Sequence, residues 1–105
     1  MPAYMIITAQ IADRGAFIAG YGVAAAQLVA QFGGTYVLRA PGAELLDGDF
    51  GDEASMVISE WPDQAAALAF WNSPEYAKVK LLRAGIAEVQ VLLVEAAAIG
   101  GESRP

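Results

Sequence analysis

Tyr4-Met5-Ile6-Ile7-Thr8-Ala9-Gln10-Ile11 near one end of the chain and Glu88-Val89-Gln90-Val91-Leu92-Leu93-Val94-Glu95 near the other decide the fold. Side chains along a strand point alternately to opposite faces, so each run presents two separate surfaces. In the first run Met5, Ile7, Ala9 and Ile11 share one face, with Tyr4 and Ile6 on the other. In the second, Val89, Val91 and Leu93 alternate with Leu92 and Val94. A sheet that meets water on one side is polar on that side. Here both faces are apolar, so both need a cover. Helices of the same chain can cover one; the economical cover for the other is the matching sheet of a second copy.

Between these runs lie the elements that complete the sheet. Asp13 stands where a helix N-cap is wanted, and Phe17, Tyr21, Ala24, Leu28 and Phe32 recur at helical spacing behind it. Gly33-Gly34 stop that helix. Thr35 to Arg39 reads as a strand, interrupted by Pro41-Gly42, with an extended run resuming at Glu44-Leu45-Leu46. Asp47 to Asp52 is rich in turn formers, and Ser55 to Trp61 is a further strand. Asp63 caps a helix through Ala65, Leu68 and Trp71. Ser73 caps another to about Arg83, with Pro74 at its first position and Glu75 at the positive end of its dipole. The order is β-α-β-β-α-β, the split βαβ of ferredoxin-like domains. The expected class is therefore α+β, with a four-stranded antiparallel sheet paired across two subunits as a dimeric α/β barrel. Residues 1–96 form this domain and 97–105 a tail.

Composition bounds the chemistry. The chain has 105 residues, 6 basic and 12 acidic, for a net charge of -6, and it is 56% apolar but only 17% charged. That is more apolar surface than one small core consumes, which again favours a homodimer. It contains no Cys and no His. Thiolate chemistry, disulfides and iron–sulfur clusters are thereby excluded, and the commonest general base and metal ligand are missing. No cofactor is expected and no metal site. The acidic loop Asp47, Asp49, Asp52 and Glu53 lacks the ligand spacing of a calcium-binding loop. Scattered basic residues and a negative balance argue against nucleic acid and against anionic membranes. The uncharged stretch between Arg14 and Arg39 could span a bilayer by length, but its helical stripe and Gly-Gly stop read as an amphipathic helix. Met1-Pro2 opens without a basic, signal-like segment, so a cytoplasmic location is expected.

The candidate chemistry gathers around a few side chains. A hairpin centred near Asp49-Phe50 would set Arg39 opposite Glu60. As a functional pair, Arg39 would grip an anionic or carbonyl ligand and Glu60 would act as the catalytic base. As a structural pair, the two would simply neutralise each other. A bulge at Pro41-Gly42 would break the pairing. Trp71, Tyr76 and Arg83, with Tyr21 nearby, would line a cleft for a small planar ligand, or pack as core.

Those same residues carry a resemblance. Gly33-Gly34 ahead of Tyr36 and Arg39, Glu60-Trp61-Pro62 closing a strand, and Asn72-Ser73-Pro74-Glu75-Tyr76 followed by Arg83 resemble domain-of-unknown-function family 1330. Asp13, Phe17, Tyr21, Glu44 and Gly48 also sit where that family's pattern has them. The resemblance runs from Tyr4 to Ala96. It implies the dimeric α/β-barrel superfamily, whose members include cofactor-free monooxygenases, muconolactone isomerases and haem enzymes. The chain departs from that pattern at Ala40, where relatives often have Gly, and at Phe32, where they often have His. The haem branch fits this chain weakly, because no His can ligate iron. The resemblance implies no agreed activity. Three readings are therefore carried forward. One is a cofactor-free, monooxygenase- or isomerase-like enzyme acting on a small aromatic or carbonyl compound in the sheet–helix cleft. Another is a binding module for a small anionic or aromatic metabolite, and the third is a ligand-free scaffold dimer.

Overall fold

The computed structural model describes residues 1–97. Four strands and a helical layer alternate along the chain: β1 (Ala3–Ile11), α1 (Arg14–Phe17), a π-helical turn (Ile18–Gly22), α2 (Val23–Gln31), β2 (Thr35–Ala40), β3 (Ser55–Trp61), α3 (Gln64–Trp71), α4 (Pro74–Lys80), a 3₁₀ turn (Leu81–Arg83) and β4 (Ala87–Glu95). The sheet order is β2-β3-β1-β4, and every neighbouring pair is antiparallel. This is the ferredoxin-like α+β arrangement that the element order predicts. The expected tail, 97–105, falls outside the described residues except for Ala97.

The caps act as their residue types dictate. The Asp13 carboxylate accepts from Ala16 N at 3.1 Å, and Asp63 accepts from Ala66 N at 2.8 Å. The Ser73 hydroxyl accepts from Tyr76 N at 3.0 Å while donating to the Phe70 carbonyl at 2.8 Å. At the end of α2, Gly34 N donates to Val29 O at 2.8 Å and Gly33 N to Ala30 O at 3.2 Å. Those two bonds form a Schellman closure, which requires the left-handed backbone that Gly33 adopts at φ 92°. No helix among the described residues is long and apolar enough to cross a membrane.

The core sits at one half of the sheet. Ala3, Met5, Leu28, Val29, Trp61, Ala67, Phe70 and Tyr76 form one buried cluster. Register assigns the faces: Met5 pairs with Ser59 and Leu93, and Ile7 with Val57 and Val91, so these all turn toward the helices. Ile6 pairs with Ile58 and Leu92 on the opposite face. Leu38 joins them there, opposite Ile58. No helix among the described residues covers that face, and Leu92 and Val94 are 57% and 45% exposed.

Two details depart from the sequence expectation. The run Glu44-Leu45-Leu46 is not a strand but part of the loop between β2 and β3, held by Ala43 N donating to Ala54 O, by Glu53 N donating to Ala43 O, and by the Asp52 carboxylate accepting from Leu45 N at 3.1 Å. The bulge falls at Val37, between Tyr36 and Leu38, rather than at Pro41-Gly42.

Candidate functional site

The bulge decides what the sheet presents. Arg39 pairs with Val57, while Glu60 pairs with Thr35 and Tyr4. The expected Arg39–Glu60 pair is therefore off by three residues. An odd shift moves a side chain to the other face. Arg39 lies with Val57 and Ile7 on the helix side; Glu60 lies with Tyr4 on the uncovered side. The sheet separates Glu60 from the sheet–helix space, so the base expected there is not in it. The Arg39 guanidinium instead lies over the Tyr36 ring, 5.4 Å from its centroid.

Beyond the aromatic core the sheet–helix gap is not filled. Ala9 and Ser55 on the sheet face Gly22, Ala25 and Ala26 on the helix, whereas at the other half Trp61 of the sheet packs with Phe70 and Tyr76 of the helices. Small residues on both walls leave a cavity of about 710 Å³, within the usual range of small-molecule sites. Ile7, Ile11, Phe17, Ile18, Val23 and Val57 give it apolar walls. Its polar groups are Arg14, Tyr21, Gln27, Tyr36, Arg39 and Ser55. Arg14 is fixed by donating from Nη2 to Ser55 Oγ at 2.7 Å. Two arginines thus line the cavity, and no Asp or Glu among the described residues does.

The π-helical turn supplies part of the wall. Ile18, Tyr21 and Gly22 all lie on it and all line the cavity. The wider turn inserts one residue into the helical register, a feature often found at functional sites. Tyr21 on this turn meets Tyr76, hydroxyl to hydroxyl at 2.7 Å. Trp71 stacks on Tyr76 with centroids 5.2 Å apart, and Lys80 Nζ lies 4.7 Å from the Trp71 ring centre. The Arg83 guanidinium lies 5.5 Å from the Tyr21 ring centre, and its Nε is buried with no hydrogen-bond partner among the described residues.

Of the six residues expected to carry function, the structure places Tyr21 and Arg39 on the cavity wall. Trp71, Tyr76 and Arg83 do gather around Tyr21, but as a packed cluster behind the wall rather than as the lining of a cleft. Glu60 is on the opposite face. Arg14, Tyr36 and Ser55 were missed. Arg14 had a signal in the sequence, because it extends the Phe17–Tyr21 stripe one turn backward. Among the described residues no group of His, Cys, Asp or Glu could hold a metal ion.

Burial pushes the Tyr21 hydroxyl well above the ordinary phenol range; the adjacent Tyr76 adds to this and the Arg83 guanidinium opposes it. Burial likewise raises Tyr36, opposed by Arg39, with Tyr76 adding a little. Both phenols are therefore neutral hydrogen-bonding groups at neutral pH, not bases. A phenol whose pKa is raised by folding keeps its proton in the folded chain after the unfolded chain has released it. Its contribution to stability is complete below the unfolded value of 10.0 and is lost as pH rises beyond it. Thermal melts should show stability falling more steeply with pH above about 10 in the wild type than in Tyr21→Phe. Equal slopes would mean that Tyr21 titrates normally.

Comparison with known proteins gives the fold its relatives. A protein of unknown function from Rhodopseudomonas palustris superposes with a TM-score of 0.76 at 17% identity, over 93% of this chain and 84% of that one. A dimeric ferredoxin-like protein of unknown function from Jannaschia sp. CCS1 gives 0.69 at 14% identity, over 91% and 100%. SnoaB, a cofactor-independent oxygenase from Streptomyces nogalater, gives 0.68 at 14% identity, over 93% and 95%. At these identities the likeness is one of fold. No curated protein matches significantly. The pattern of the "Domain of unknown function (DUF1330)" matches residues 2–97, nearly the whole described chain, and the protein belongs to that family.

Proposed function

We propose that the sheet–helix cavity binds a small organic anion with a flat apolar body, its charged group held by Arg39 and Arg14. The observation that carries this is a charge inversion. In a chain of net charge -6, a cavity of about 710 Å³ is lined by two arginines and by no described acidic residue. Guanidinium forks fit carboxylates and other planar oxyanions, and the apolar walls take the remainder of the ligand.

The enzymatic form of this reading is a cofactor-free, monooxygenase- or isomerase-like turnover of an aromatic or carbonyl compound. Its support is the fold shared with SnoaB, described as a cofactor-independent oxygenase. With Glu60 on the other face, such chemistry relies on the acidity of the ligand itself. The cations beside the cavity would favour its enolate or phenolate form.

We also propose that the uncovered sheet face pairs with a second copy. Its supports are the apolar surface of Ile6, Leu38, Ile58, Leu92 and Val94 and the dimeric description of the Jannaschia relative.

Calorimetric titration with 2-naphthoate and with the neutral 2-naphthamide tests the cavity reading. The carboxylate should bind and the amide should bind at least tenfold more weakly. Arg39→Gln should weaken naphthoate by about tenfold, roughly 1.4 kcal/mol, because an exposed guanidinium is partly screened. Equal affinities for acid and amide would refute the reading.

A further inference from the structure

We infer that Tyr21 donates a hydrogen bond to an oxygen atom of the cavity's ligand, and that Tyr76, which does not line the cavity, holds it in that role. The inference rests on the organic-anion reading and narrows it.

The two hydroxyls are 2.7 Å apart, so one proton lies between them. Which residue supplies it follows from burial. Tyr76 is 2% exposed and is walled by the rings of Phe70 at 4.6 Å and Trp71 at 5.2 Å. Among the described residues the only hydrogen-bond partner of its hydroxyl is Tyr21. Were Tyr21 the donor, the proton of Tyr76 would be buried against aromatic carbon with no acceptor, a state that folded proteins avoid. With Tyr76 as the donor, its proton is used. The proton of Tyr21 is then not used by Tyr76, and Tyr21 is a wall residue of the cavity whereas Tyr76 is not, so on this inference the cavity is where that proton is used.

Arg83 reinforces this polarity. Its guanidinium lies over the Tyr21 ring, and a nearby positive charge makes a phenol O–H a stronger donor. Accepting from Tyr76 strengthens the outgoing bond in the same sense. The result is a fixed donor on the wall of a cavity that also holds two cations. The chemistry that satisfies both is a planar anion bearing a second, acceptor oxygen: an oxo-substituted aryl or polyene carboxylate, or the enolate or phenolate form of one. Tyr76 is then a positioning residue, because it acts only through Tyr21.

Two probes isolate the contact: 6-formyl-2-naphthoate, whose aldehyde oxygen only accepts, and its isostere 6-vinyl-2-naphthoate, which lacks that oxygen. Their affinities are measured on wild type, Tyr21→Phe, Tyr76→Phe and the double variant. Each substitution keeps the ring, and thermal melts identify any variant that fails to fold. Wild type should prefer the formyl probe by roughly fivefold. Both single variants should lose that preference, and the double variant should lose no more than either. A wild type indifferent to the formyl oxygen, while still binding both probes more tightly than their neutral amides, overturns this inference alone. A Tyr76→Phe variant that keeps the preference overturns the role of Tyr76. If acids and amides bind alike, it is the organic-anion reading that fails.

Discussion

Val91→Asp should abolish folding, whereas Leu92→Asp, one residue further along the same strand, should leave a folded chain that no longer self-associates. Val91 pairs with Ile7 on the helix side of the sheet and packs against the buried cluster around Met5, Trp61 and Phe70. Val91 is half-buried among apolar neighbours, and a carboxylate placed there loses hydration; a fully uncompensated buried charge costs on the order of 3–5 kcal/mol. Small domains have about 5–15 kcal/mol in total. Leu92 is 57% exposed on the uncovered face, next to Ile6. A charge at that position costs the monomer little, within about 0.5 kcal/mol. In a two-fold symmetric interface it would appear twice, once from each subunit. Circular dichroism reads the first effect and sedimentation velocity the second. A folded Val91→Asp protein would mean that the faces are assigned the wrong way round. A Leu92→Asp protein that still self-associates like wild type would remove this face from the interface.

Gly34→Ala should destabilise the fold by about 2–3 kcal/mol, the upper part of the range for overpacked cores. Gly34 is not in the left-handed region, so backbone freedom is not the reason for glycine here. On entropy alone, alanine would stabilise by a few tenths of a kcal/mol or more. Space forbids it. A Cβ on Gly34 would stand 2.8 Å from both Cη2 and Cζ2 of Trp61. The indole cannot move aside. It is 1% exposed, its Nε1 donates to Ser59 Oγ at 3.0 Å, and Phe70 packs on it with centroids 5.1 Å apart. Gly20→Ala is the internal contrast, because a Cβ there meets nothing within 4 Å in a helical segment. It should be neutral or raise the melting temperature. Chemical denaturation of both variants decides the matter, and equal midpoints would show that Trp61 yields.

What was legible in the sequence follows the range of the interactions involved. Asp13, Asp63 and Ser73 cap their helices because a cap is written within four residues. The two-faced sheet was legible because alternation is local to each strand. The register of β2 was not. Thr35, not Arg39, already pairs with Glu60 ahead of the bulge, an offset set by the long connection between β2 and β3; the extra residue at Val37, which carries no signal such as a glycine, then reduces the offset to three and turns Arg39 to the helix side. That single residue moved the expected Arg39–Glu60 pair to opposite faces of the sheet. The cavity was illegible for a different reason. It exists where Ala9, Gly22, Ala25, Ala26 and Ser55 fail to fill a gap, and missing volume becomes visible only when distant segments face each other. Tyr21, Trp71, Tyr76 and Arg83, read from the sequence as one group, do lie together. Whether such a group lines a cleft or packs solid depends on contacts between segments far apart in the chain, and the π-helical turn that carries Tyr21 is not announced by periodicity.

Titrating 2-naphthoate while following the backbone amide spectrum of the protein shows where the anion binds. Shifts should concentrate at Ile7, Ala9, Ile18, Tyr21, Tyr36, Arg39 and Val57, around the cavity. Ile6, Ile58 and Leu92, on the other side of the same sheet, should stay in place. Saturable shifts confined to the uncovered face, or to the hollow between Gln10–Ala12 and Gly85–Glu88, would contradict the account and place the ligand elsewhere.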